Sequence, residues 1–209
     1  ALNEGDFSLN QLLNFLSVVY EEYAKEEGIH FNFSGGQLPE FVVGDKERLR
    51  RVLSNLLTNA VRFTKKDGHV DFVVENLGLS NGVYKIRFTV ADDGIGMSEE
   101  KVKNIFVPYS SVETPDSDAI YGVGLGLSVA NSIVKEMGGT INVTSAEGTG
   151  STFWFEINLK VSEAFEGAGA VEEKKELEGK TILIADDDSI NCSIICHLLE
   201  SFGCKVEAT

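Results

Sequence analysis

The stretch DKERLRRVLSNLLTNAVRFT, residues 45–64, decides how this chain folds. Leu49, Val52, Leu53, Leu56, Leu57 and Ala60 recur at helical spacing and form one apolar face, so the stretch reads as an amphipathic helix ending near Phe63, with Asp45 placed to cap it. On the same helix Asn55, Asn59 and Arg62 stand at i, i+4 and i+7 and form a polar stripe. Asn is a poor interior helix residue, so two of them one turn apart need a reason. Two readings are open. One is a solvated helix face. The other is a Mg site, in which an Asn carbonyl serves as a hard oxygen ligand, phosphates and water complete the shell, and Arg62 one turn on neutralises phosphate charge.

Outward from this helix, residues 8–27 place Leu9, Leu12, Leu13, Leu16, Val19, Tyr20 and Tyr23 at helical spacing, with Ser8 as N-cap and Gly28 just past the end. Residues 29–33 and 41–43 read as short strands. Residues 70–75 and 83–91 read as a hairpin pair, with Gly78 and Asn81-Gly82 supplying the turn. A Gly-rich region follows. Residues 127–137 then read as a helix stopped by Gly138-Gly139, and strands are expected at 140–145 and 151–159. The fold class expected for residues 1–160 is therefore α+β, a two-layer sandwich with helices on one sheet face. Residues 161–179 are rich in Glu, Gly and Ala and read as an acidic linker. In residues 180–209 a buried-strand run over 181–185 and helical spacing over 189–202 read as the β-α start of a second domain, too short to bury a core alone.

Composition narrows the function. Of 209 residues, 43% are apolar and 24% charged, which fits one or two soluble domains. Lys and Arg number 18 against 33 Asp and Glu, and the net charge of -15 argues against broad attraction to nucleic acid or anionic membrane. A phosphate site here must be built from particular groups. No apolar run has membrane-spanning length, and ALNEGDFSLN lacks the features of a signal peptide, so a cytoplasmic piece is expected, whose parent can still be membrane-anchored. Cys192, Cys196 and Cys204 lack metal-ligand pair spacing and read as buried thiols, with a zinc site including His197 as the weaker alternative.

Three further motifs carry chemistry. Asp92-Asp-Gly94-Ile-Gly96-Met97 follows a strand: its carboxylate suits an exocyclic amine, and its glycines let a flat ring approach the backbone. Gly122, Val123, Gly124, Leu125, Gly126 and Leu127 open a helix, where backbone N–H groups and the positive helix end cradle phosphate. This is not the dinucleotide fingerprint, since Leu127 stands where a third Gly is needed. Gly148-Thr-Gly150-Ser-Thr152-Phe153 is a further Gly turn leading into a strand.

The ordered set of Asn55-Leu-Leu-Thr-Asn59-Ala, Asp92-x-Gly94-x-Gly96, Ile105-Phe106-x-Pro108-Tyr109, Gly122-x-Gly124-x-Gly126-Leu127 and Gly148-x-Gly150-Ser-Thr152-Phe153 resembles the catalytic ATP-binding (Bergerat-fold) domain of sensor histidine kinases, in one superfamily with gyrase, Hsp90-type chaperones and MutL-type ATPases. The resemblance covers roughly residues 8–160. It implies ATP and Mg as cofactors. Asn59 would hold Mg, Asn55 would lie beside the phosphates with Arg62 and Phe63 flanking, and Asp92 would recognise the adenine amine. Residues 122–127 and Thr152 would line the nucleotide, with residues 110–121 as a lid. Asn55 stands where the gyrase and chaperone branch has a water-activating Glu, which ranks a plain ATPase low.

Residues 182–191, Ile-Leu-Ile-Ala-Asp186-Asp187-Asp188-Ser-Ile-Asn, resemble the first strand and acidic turn of a doubly wound, flavodoxin-like receiver domain, in which Asp186 and Asp187 would hold Mg. A plain solvated acidic turn is the alternative. The resemblance implies a hybrid kinase, with a dimerisation and histidine phosphotransfer domain, a receiver in cis and a downstream phosphotransfer protein as partners, and a homodimeric parent. Two departures stand out. None of His30, His69 and His197 sits in a histidine box, so phosphotransfer is expected to need a His on another domain. Residues 104–131 contain no Lys or Arg, whereas lids of this family often offer a cation, so a degenerate nucleotide-binding module is the rival expectation.

Overall fold

A computed structural model describes residues 2–108, 125–162, 179–184, 199 and 203–208. The chain divides into two units, residues 1–162 and 163–209. In the first, strand β1 (Gly5–Ser8) leads into helix α1 (Leu9–Glu26), and Ser8 caps α1 by accepting a hydrogen bond from the Gln11 N–H at 3.1 Å. Strands β2 (His30–Gly35) and β3 (Phe41–Gly44) precede helix α2 (Lys46–Phe63), and Asp45 caps α2 through the Arg48 N–H at 3.0 Å. Strands β4 (His69–Ser80) and β5 (Val83–Asp92) form the expected hairpin. Helix α3 (Glu99–Asn104), helix α4 (Gly126–Glu136), and strands β6 (Asn142–Ala146) and β7 (Gly150–Val161) complete the unit.

The sheet runs β1-β3-β7-β5-β4-β2. Every pairing is antiparallel except β2 with β4, which lie parallel because β3 and α2 cross over between them. β5 pairs along nearly the whole length of β7, whose other edge is shared: β6 takes its start and β3 its end. Burial alternates along the central strands. Val70, Phe72 and Val74, then Ile86, Phe88 and Val90, then Phe153, Phe155, Ile157 and Leu159 all point to one buried face. That face packs against Leu12, Leu13 and Leu16 of α1, Leu49 to Val61 of α2, and Ala130 and Val134 of α4 in one continuous core. The other face stays wet and carries ion pairs from Lys85 and Arg87 to Glu156. The two-layer α+β sandwich is thus present in residues 2–162.

Three details depart from expectation. Gly78 lies inside β4, at a bulge between Asn76 and Gly78 with φ +136°, and does not help make the turn. The turn is Asn81-Gly82 alone, both at positive φ, which suits a two-residue hairpin and lets β4 run to Ser80. Strand β1 and helix α3 were not anticipated; α3 is a single capped segment whose Ser98 side chain accepts from the Lys101 N–H at 3.4 Å.

In the second unit, β8 (Thr181–Ile184) pairs in parallel with β9 (Lys205–Ala208), and Gly203 turns into β9 at φ +80°. A parallel pair needs a crossover between its strands. The helix expected over 189–202 lies outside the described residues apart from Leu199, which is helical. The run over 181–185 is not buried as expected: Leu183 is 68% exposed, because a two-stranded ladder leaves much of its face uncovered. Cys204 is a buried thiol, as read. Cys192, Cys196 and His197 lie outside the described residues.

The rings of Phe88 and Phe155 stack at 5.0 Å between centroids in the middle of the core, both wholly buried. Replacing Phe88 by Ala is expected to cost about 3–5 kcal/mol of stability, read as a fall in the urea midpoint of unfolding.

Candidate functional site

The turn after β5 is built by close backbone contacts. The Ile95 N–H donates to the Phe63 carbonyl, the last residue of α2, at 3.1 Å, and the Gly148 N–H donates to the Ile95 carbonyl at 2.8 Å. A Cβ on Gly94 would stand 2.2 Å from the Phe63 carbonyl oxygen. One on Gly96, at φ +62°, would stand 1.9 Å from the Ala146 carbonyl oxygen, and one on Gly150 would stand 1.9 Å from that of Asp92. Gly94 and Gly96 are therefore required by the protein's own backbone packing, before any ligand is considered. Ser145 fastens the same corner: its hydroxyl accepts from the Met97 N–H at 2.9 Å and donates to the Gly150 carbonyl at 2.9 Å.

Behind this turn lies a cavity lined by Asn59, Ala60, Phe63, Asp92, Ile95, Gly96, Met97, Ile105, Leu127, Ser151 and Phe153. The walls are mostly apolar, with Asp92 as the one acid. Its Oδ1 accepts from the Gly94 N–H at 3.0 Å and the Ser151 N–H at 3.2 Å, and among the described residues no donor is recorded for Oδ2. Burial pushes the Asp92 carboxyl up to about 6, with the Gly94 and Ser151 N–H groups working in the opposite direction. Next to it, Asp93 faces outward. The His69 N–H (2.7 Å) and ring (3.0 Å) hold its carboxyl below the ordinary range, the N–H being the larger influence. His30 and His69 stack at 5.0 Å on the β2–β4 pair.

Of the residues singled out from sequence, Asn59, Phe63, Asp92, Gly96 and Leu127 meet in this cavity. Asn55 lies one turn before Asn59 on α2 and touches the start of α4: a Cβ on Gly126 would be 2.9 Å from Asn55 Oδ1. α4 begins at Gly126 after Leu125, whose side chain makes no cap hydrogen bond. Arg62 lies at the end of α2, and its charge acts on the Tyr23 phenol of α1. Gly94 supports the turn but does not line the cavity.

Thr152 does not face the cavity. Ser151 and Phe153 line it, and strand alternation turns the residue between them to the opposite face. Sequence reading also missed the apolar walls from Met97 and Ile105, which lie outside any helical or strand period. Gly122, Val123, Gly124, the segment 110–121, Asp186 and Asp187 lie outside the described residues.

Residues 44–161 match the family described as histidine kinase-, DNA gyrase B-, and HSP90-like ATPase, more than half of the chain. The chain belongs to this family. Within it, sensor histidine kinase AruS of Pseudomonas aeruginosa is 36% identical over 202 residues, covering 96% of this chain and 20% of that protein. Signal transduction histidine-protein kinase BarA of Escherichia coli is 33% identical over 157 residues, covering 75% of this chain and 17% of BarA. The nucleotide-free catalytic domain of histidine kinase ThkA superposes with a TM-score of 0.62 at 31% identity, covering 75% of this chain and 97% of that one. Full-length ShkA in complex with AMPPNP gives 0.64 at 28% identity, covering 100% of this chain and 41% of ShkA. The chain spans only 17% to 32% of the length of AruS, BarA and the sensory/regulatory protein RpfC. Among the described residues no helix is long and apolar enough to cross a membrane.

The raised Asp92 carboxyl has a consequence for stability. Its contribution is favourable below the ordinary value near 3.8, where the acid is protonated, and is lost as pH rises through about 6. At pH 7 the ionised group then costs on the order of 2 kcal/mol, allowing for screening at its exposed edge. Asp92→Asn keeps the Oδ1 acceptor and removes the charge. Urea unfolding is expected to show it more stable than the starting protein by about 1–2 kcal/mol at pH 7, with the gain shrinking towards pH 4.

Proposed function

We propose that this chain is the Mg-ATP-binding catalytic domain of a hybrid sensor histidine kinase, which transfers the ATP γ-phosphoryl group to a histidine on a separate dimerisation domain. The observation that carries the reading is the Asp92 carboxylate, half-buried and fixed by two backbone N–H groups at one wall of an apolar cavity whose other wall holds Asn59. Such a carboxylate, lining an apolar cavity, suits an exocyclic amine on an aromatic ring, as in adenine. Histidine kinase relatives, and the AMPPNP in the ShkA complex, support the same ligand class.

With adenine at Asp92, the triphosphate runs towards Asn59, Asn55 and the uncapped start of α4, whose N–H groups and positive end stabilise anionic oxygen. The donor set fits Mg held chiefly by phosphate. The Asn59 amide oxygen is a hard ligand lining the cavity, and among the described residues no three His, Cys, Asp or Glu side chains gather into a cage. Bound there, Mg would neutralise phosphate charge; the protein's own groups orient the nucleotide and shield it from water. Arg62 and Phe63, at the end of α2, flank the site.

The second unit fits the start of a receiver. Its parallel β8–β9 pair follows the strand-crossover-strand order of that fold. Asp186 and Asp187 would be its Mg ligands, a downstream phosphotransfer protein its correspondent, and the whole a cytoplasmic part of a homodimeric parent.

Calorimetric titration is expected to show ATP binding that strengthens with Mg. Asn59→Ala should weaken Mg-ATP binding by about tenfold or more, since a charge-assisted contact of a few kcal/mol is lost, while leaving binding in EDTA nearly unchanged. Unchanged Mg-ATP affinity would remove Asn59 from this role. The chain alone should take up no label from γ-labelled ATP, and should phosphorylate an added dimerisation domain carrying the histidine. ATP binding without such transfer would favour the rival, a nucleotide-binding module without kinase activity.

A further inference from the structure

Between Lys103 and Lys135 the chain has no Lys or Arg, so a cation for the far end of the triphosphate, beyond Arg62 at the C-terminal end of α2, must come from another segment. The N-terminal half of α2 offers one. A groove of about 890 Å³ lies between that half of α2 and α4, with Arg51, Leu125, Ser128 and Asn131 among its walls. Arg51 stands one turn before Asn55, just as Asn55 stands one turn before Asn59, so the three continue a single stripe leading away from Asp92. At about 1.5 Å per residue, Arg51 lies about 12 Å along the helix from Asn59, roughly a triphosphate's reach with an extended side chain added. Asn55 abuts Gly126, and Leu125 beside it belongs to the groove, so the groove reaches the phosphate end of the proposed site.

The other groove cations on α2 are committed. Arg48 pairs with Asp45 at 3.4 Å and with Glu136, and Arg50 pairs with Glu47 at 2.8 Å. No ion pair holds Arg51 among the described residues. A second observation points to the same place: Asn131 Oδ1 is buried and meets no hydrogen-bond donor among the described residues. A buried acceptor of this kind calls for a donor, and a guanidinium has five in a fixed fork.

Resting on the ATP reading above, we propose that Arg51 contacts the γ-phosphate, donating to it and, from the same guanidinium, to Asn131 Oδ1. Arg51 then takes the place of a cation from the segment 104–134 and makes the site discriminate ATP from ADP, which has no group to meet it. Loss of the γ-phosphoryl group on transfer removes the contact and favours release of ADP.

The test compares Mg-ATP and Mg-ADP affinities by titration calorimetry for the full chain and for Arg51→Gln, Arg51→Lys and Asn131→Ala. Arg51→Gln is expected to weaken ATP about tenfold and ADP less than about twofold, with Arg51→Lys between it and the starting chain. Asn131→Ala should shift ATP in the same direction by a smaller factor. Equal losses for both nucleotides, or no loss for either, in Arg51→Gln overturn the assignment, and unchanged ATP affinity in Asn131→Ala removes the Asn131 contact. A starting chain that binds neither nucleotide overturns the ATP reading itself, a result separable from the others because it precedes any substitution.

Discussion

Three backbone segments meet around Asp92 with no room for a side chain between them, and the rest of the site depends on that contact. The end of α2 touches the turn after β5 through the Phe63 carbonyl, the β6–β7 turn touches it through the Ala146 carbonyl, and Gly150 lies against Asp92 itself. Each contact falls on a glycine, because any Cβ there would overlap a carbonyl oxygen by more than an ångström. The hydrogen bonds then fix direction: the turn that brings in the Ser151 N–H, together with the Gly94 N–H, holds Oδ1 of an Asp92 that lines the cavity.

The energetics of this corner pull in opposite directions. A carboxylate placed among Met97, Ile105, Leu127 and Phe153 loses hydration, and two N–H donors recover only part of it, which is why its carboxyl is pushed up to about 6. Evolution towards stability alone would replace it. An acid set where its charge costs stability, at the wall of an apolar cavity, fits the binding role proposed for it. Asp93 shows the contrast. One residue further on, facing solvent and held by His69, it carries its charge easily and serves to tie the turn to the start of β4.

Much of this was legible because the informative residues sit on regular elements. The caps at Ser8 and Asp45, the stop at Gly28 and the Asn81-Gly82 turn are local chemistry, and each stands where its spacing implied. β1 was not legible: Gly5–Ser8 has no alternation of its own and becomes a strand only by pairing Phe7 with Val42 of β3. Gly78 looked like a turn residue because a bulge and a turn use the same residue type. The error at Thr152 was one of parity. A motif names a neighbourhood, but on a strand only every second residue reaches a given side, and the register with β5 puts Ser151 opposite Asp92.

Helix α2 explains why the remaining site residues could be read in order. Its N-terminus is pinned by Asp45, which is buried and accepts N–H groups from Arg48 and from Asn3 at 2.8 Å. Its middle is pinned by Tyr20 of α1, whose hydroxyl donates to the Ser54 carbonyl at 3.0 Å and meets the Thr58 hydroxyl at 2.9 Å. Its C-terminus is pinned by the Ile95 N–H. A helix held at three points cannot rotate about its axis, so Asn59 and Asn55 keep their pitch and azimuth whatever the neighbouring loops do. Positions four residues apart then become fixed distances, and a polar stripe in the sequence becomes a row of polar side chains of known spacing. The loops contribute closure and walls, which have no such period, and it was there that sequence reading missed Met97 and Ile105.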